Sequence, residues 1–133
     1  MGATVDGFKT THQAAVSLLE QVDSASGQQR IDILTSLKEA LLAHIGEENS
    51  VIQEAMDKPD ADESFKSSAQ SFLDELGNIA QAALLPFFDK YSSSGTVDSK
   101  EFMGDFNGIK GAVSDRIAFE EEKFYPELEK LGY

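Results

Sequence analysis

A chain of 133 residues is long enough to bury one hydrophobic core and short enough to form a single domain, 1–133. Its net charge of −13 argues against nucleic acid and anionic membrane as partners, and its 41% hydrophobic content argues against disorder. The absence of cysteine excludes disulfides, thiolate zinc sites and iron–sulfur clusters.

No apolar run approaches the ~20 residues of a membrane span, and no basic-then-apolar leader opens the chain, so a cytoplasmic protein is expected. Four helices are predicted, at about 4–23, 27–57, 61–91 and 98–131, with no period-two alternation to suggest strands. The first carries the stripe Val5, Phe8, His12, Ala15, Leu19 and Val22, stepping by three and four residues. A histidine stands in the middle of it. Asp23–Gly27 ends this helix, and Ser26 with Gln29 is set to cap the second.

The second helix has the stripe Leu34, Leu37, Leu41, His44, Glu48, Val51 and Ala55, so two polar residues one turn apart point where a core belongs. Lys58-Pro59-Asp60 breaks the chain, and Asp60 with Glu63 forms a second capping box. The third helix is apolar along Phe65, Ala69, Phe72, Leu76, Ile79 and Ala83, with Phe72 expected level with the polar residues. Pro86 should kink or end it, and Phe87 and Phe88 read as core closure at the end of the bundle.

Ser92–Gly95 reads as a loop, and the fourth helix starts at Asp98 as N-cap, with Glu101 and a Val97–Phe102 staple. This region also looks like part of a calcium loop. The comparison puts Lys90 in the first ligand position, which suits a dication poorly, so calcium is not expected. The fourth stripe is Phe102, Phe106, Ile109, Val113, Arg116, Glu120, Phe124 and Leu128. Gly104, Gly108 and Gly111 either admit a close neighbour or mark a mobile segment. Short linkers between helices of this length give an all-α, up-down-up-down four-helix bundle.

The second and fourth helices align without gaps. Leu37-Lys38 matches Ile109-Lys110, Ala40-Leu41 matches Ala112-Val113, and Glu48 matches Glu120. The large difference is that His44 corresponds to Arg116. With a rise of about 1.5 Å per residue, His12, His44, Glu48, Arg116 and Glu120 converge into adjacent core layers.

His12, then Leu41-x-x-His44-Ile-x-x-Glu48, then Arg116-Ile-x-x-Glu120-Glu-x-x-Phe124-Tyr-Pro126, resembles the hemerythrin-like cation-binding family. The resemblance implies a hemerythrin-like bundle, with His12, His44, Glu48 and Glu120 standing where that family has metal ligands. Complete members hold a pair of irons in a mostly histidine ligand set and use it for dioxygen, nitric oxide or iron chemistry. This chain has no histidine after His44, and Arg116 stands where a ligand histidine would be. An arginine cannot ligate a metal.

The favoured expectation is therefore a buried Arg116–Glu48–Glu120–His12–His44 network without a cofactor, in a non-enzymatic sensory or regulatory domain. Arg116 would bond Glu48 and Glu120 with its planar fork, and its removal would cost on the order of 3–5 kcal/mol. Its partner would be another protein or a second copy of itself. The alternative is one iron, zinc or manganese ion held by His12, His44, Glu48 and Glu120 for sensing or storage.

Overall fold

A computed structural model of the chain describes residues 2–133, the side chain of Ser94 excepted. Four long helical arms form the bundle, and no strand occurs among the described residues. The first arm is α1 (Ala3–Ser24) and the second is α2 (Gly27–Met56). The third runs from α3 (Glu63–Ile79) through a π-helical turn (Ala80–Leu84) into α4 (Leu85–Lys90). After the short α5 (Ser94–Val97), the fourth repeats that plan: α6 (Phe102–Phe119), a π turn (Glu120–Phe124) and α7 (Tyr125–Lys130).

The direction of the arms follows from contacts at the two ends. At one end the Val5 amide donates to the Tyr133 carbonyl and Lys58 Nζ to the Leu131 carbonyl. At the other, Lys110 pairs with Asp23, and Arg30 donates to the Val97 carbonyl. Successive arms are antiparallel, with the second and fourth diagonal and parallel.

Both π turns end two residues before a proline, Pro86 and Pro126. A proline inside a helix offers no amide hydrogen, and its ring collides with the carbonyl four residues back; a turn widened by one residue relieves both. The expected break at Pro86 is thus a widened turn in a continuing arm. The inward position moves with it, from Ala83 to the buried Leu84.

Local signals are reassigned at several helix starts. Asp62, not Asp60, caps α3, accepting from the Phe65 amide at 2.7 Å. Ser26 makes no side-chain cap at α2; instead Asp98 Oδ1 accepts from the Gly27 amide at 3.1 Å. Having been recruited there, Asp98 closes α5, whose own capping box is Ser93 with Thr96, and the last arm starts at Phe102. The expected Ser92–Gly95 loop is therefore partly helical. Phe87 and Phe88 are both buried. A Cβ on Gly104, Gly108 or Gly111 would meet nothing within 4 Å, so none of these glycines is needed for close approach.

Two apolar clusters fill the bundle. One gathers Leu19, Leu37, Phe87, Tyr91, Phe102 and Phe106 near the α5 end, and the other gathers Val5, Ile52, Phe65, Phe72, Phe124 and Leu128 near the chain ends. Ile52 rather than Val51 belongs to the inner stripe of α2. Between the clusters lies a polar layer.

Candidate metal centre

The polar layer takes one residue from α1, two from α2 and two from the fourth arm. On α1 and α2 the local rule is simple, because residues three or four apart share a face, so His12, His44 and Glu48 follow their apolar neighbours inward. Glu120 is also inward and fully buried. One ligand atom each from His12, His44, Glu48 and Glu120 lies within 4.8 Å of the others. The residues singled out by spacing as metal-ligand candidates are thus brought together.

Arg116 is not with them. Its Nη1 donates to Glu75 Oε2 at 2.8 Å, on the outer side of α3, and its guanidinium stacks over Phe119 and Phe72 at 4.5 and 5.0 Å. The nearest approach to a core carboxylate is Nε to Glu120 Oε2 at 4.0 Å, without a hydrogen bond. The expected fork between Glu48 and Glu120 does not form, because an aromatic shelf and the exposed Glu75 carboxylate turn the guanidinium outward, although the side chain is only 13% exposed. A guanidinium with a solvated partner loses less hydration than one placed between two buried carboxylates.

Tyr125 takes the place in the network that sequence reasoning gave to Arg116. Its hydroxyl donates to Glu48 Oε2 at 2.6 Å and lies 2.9 Å from Glu120 Oε1, 3.2 Å from His12 Nε2 and 3.5 Å from His44 Nε2. The π turn puts it there. In an unbroken α-helix only Phe124, four residues after Glu120, would face inward; the extra residue per turn brings Tyr125, five residues on, into the core as well. Pro126 was the available sign of a disturbed helix.

A second residue missed by stripe reasoning is Glu121, whose Oε2 accepts from His12 Nδ1 at 2.7 Å. That contact fixes the ring so that Nε2 faces the centre, the role outer carboxylates play behind metal-bound histidines. Among the described residues His44 has no such partner on Nδ1, and its ring is held by the edge-on Phe8 ring at 5.3 Å.

Burial lowers the basicity of both imidazoles, but hydrogen bonds and charges from the carboxylates outweigh it. His12 is raised from the ordinary histidine value, and His44 is raised to about 9. Burial also pushes Glu48 up, with the charge of Glu120 adding to it. Glu120 is buried too, yet hydrogen bonds from His12 and His44 hold it below the usual carboxylate range. Tyr125 is strongly raised by burial and its two carboxylate neighbours, so its phenol is neutral in the metal-free protein. A proton held on His44 supplies positive charge beside the paired carboxylates.

The donor set suits one cation. Two imidazoles and two carboxylates are a familiar complement for zinc, iron or manganese. Glu48 Oε1 is buried 3.1 Å from His44 Nε2 without a well-aligned hydrogen bond among the described residues, leaving a carboxylate oxygen with spare acceptor capacity at the centre. The set does not suit a pair of irons. The third arm faces the site with Leu76, Ile79 and Leu84, whereas Phe72, expected at that level, packs in the cluster near the chain ends, on Phe124 at 4.5 Å. A cavity of about 40 Å³ beside the histidines is lined mainly by hydrocarbon, with Arg116 at its edge.

Comparison with known proteins agrees with this arrangement. The family model for the hemerythrin HHE cation-binding domain matches residues 3–128. No curated protein and no solved structure matches the chain. A family model that covers both the bundle and its polar layer shows that the chain belongs to the hemerythrin HHE cation-binding domain family.

Proposed function

We propose that this chain is a non-enzymatic cation-binding domain that holds one transition-metal ion through His12, His44, Glu48 and Glu120. The reading rests chiefly on the convergence of four buried ligand atoms, from three arms, within 4.8 Å of one another. It replaces the cofactor-free network expected from the sequence, since the arginine that would have stood in for the metal pairs with Glu75 instead. One ion rather than two follows from the apolar face that the third arm turns to the site.

When bound, the cation supplies the positive centre that the two carboxylates share. The chain's own part is to present the ligands already assembled. Glu121 orients His12, Phe8 braces His44, and the apolar clusters on either side exclude bulk water. Binding exchanges protons on the imidazoles for a metal, so uptake is coupled to proton release. Such a site suits sensing or storage of the ion. The reader of its occupancy is expected to be another protein or a second copy of this chain, since a net charge of −13 repels nucleic acid and anionic lipid.

Elemental analysis after exposure to Fe(II), Zn(II) or Mn(II), followed by thermal melting, tests the proposal. One ion per chain is expected. A hundredfold excess over Kd should stabilise the fold by about 2.7 kcal/mol, a rise in Tm on the order of 10 °C. Metal-free protein whose melting is unmoved by all three ions would overturn it.

A further inference from the structure

Tyr125 has more polar contacts than a structural tyrosine can use. Its ring is fully buried, packed parallel to His12 at 5.5 Å, and its oxygen touches two carboxylates and two imidazoles. A phenol has one proton to give. If it goes to Glu48, the 2.9 Å contact with Glu120 Oε1 is left between two oxygens with no proton from the phenol between them. The imidazoles are crowded in the same way, with His12 Nε2 and His44 Nε2 only 3.0 Å apart. At that distance one nitrogen must donate and the other accept.

Four of these atoms define a closed figure. Tyr125 Oη, Glu120 Oε1, His12 Nε2 and His44 Nε2 are separated pairwise by 2.9 to 3.5 Å along all six edges. Even with every corner protonated, four hydrogens serve those six edges, so no protonation state turns every edge into a hydrogen bond. A tetrahedron of that size has its centre roughly 2 Å from each corner, the length of a metal–nitrogen or metal–oxygen bond. The Glu48 carboxylate stands just outside, with Oε2 2.6 Å from Tyr125 Oη and Oε1 3.1 Å from His44 Nε2.

We propose that Tyr125 is itself a metal ligand, bound as a phenolate to a ferric ion. The inference rests on the cation-binding reading above and adds a ligand to it. Two carboxylates balance a divalent ion; two carboxylates and a phenolate balance a trivalent one. Three hard, anionic oxygens beside two imidazoles suit Fe(III). On binding, the Tyr125 O–H bond breaks, an O–Fe bond forms and the proton leaves to solvent, with no change of oxidation state.

The experiment adds ferric citrate to the metal-free full chain and records iron per chain, the visible spectrum and resonance Raman scattering. One iron per chain is expected, with a tyrosinate-to-iron charge-transfer band and tyrosinate ring vibrations. Tyr125→Phe should lose the band and bind iron at least about tenfold more weakly, while Tyr91→Phe and Tyr133→Phe keep both. Iron bound without tyrosinate vibrations overturns the Tyr125 assignment and leaves the cation-binding reading standing. Uptake of zinc or manganese with refusal of ferric iron overturns the proposal. Failure to take up any cation overturns both readings. Should Tyr125→Phe not fold, the Raman spectrum of the unaltered chain decides alone.

Discussion

The middle of α2 and the end of the fourth arm are matched in sequence and opposite in behaviour. On α2, His44 and Glu48 lie one regular turn apart and both face the centre. On the fourth arm, Arg116 and Glu120 have the same spacing, but only Glu120 does so, and the second inward donor is Tyr125, five residues further on. One helix supplies its pair by ordinary α periodicity, whereas the other discards the first position and recovers a donor through a π turn. The comparison teaches that an aligned position carries over a backbone address without fixing which way a long side chain goes. Arg116 can reach solvent past Phe72 and Phe119, and Glu48, which is short and central, cannot.

The comparison can be broken most sharply at the two glutamates. In metal-free protein Glu120→Ala should cost on the order of 3–5 kcal/mol in urea unfolding, because two buried imidazoles lose a shared acceptor. Glu48→Ala should cost less, since burial already biases that carboxyl toward its neutral form. Equal losses would show that the two helices contribute alike.

The next effect is on pH, and it belongs to the α2 half. His44 is raised to about 9, above its unfolded value, so its contribution to metal-free stability is present below about pH 6.5 and fades as pH climbs through 9. A cation must displace that same proton. Apparent affinity, read by competition with a chelator, should therefore rise about tenfold per pH unit for each proton displaced, levelling off above about pH 9. A flat profile between pH 6 and 9 would mean that His44 does not carry the proton.

Smaller changes are expected on the Arg116 side. Arg116→Ala should cost about 1 kcal/mol, from lost stacking and one exposed ion pair, in place of the 3–5 kcal/mol a buried fork would demand, and should leave cation stoichiometry unchanged. Loss of the metal in that variant would return Arg116 to the site. Glu75→Ala, which removes only the exposed partner, should shift stability by less than about 1 kcal/mol.

Much of this molecule is determined by the sequence alone. Spacing of three and four residues placed His12, His44, Glu48 and Glu120 on inner faces, and the linkers separated four arms, because helical periodicity is a local property of the backbone. Only the tertiary structure decided the rest. Asp98 caps a helix distant in sequence, Asp62 wins the start of α3 from Asp60, and Arg116 settles on aromatic rings and a carboxylate from another arm. Tyr125 enters the core through a turn that no stripe of α period predicts, although Pro126 signalled a disturbance there. Each of these outcomes is a competition between partners far apart in the chain, and such contests are settled by packing.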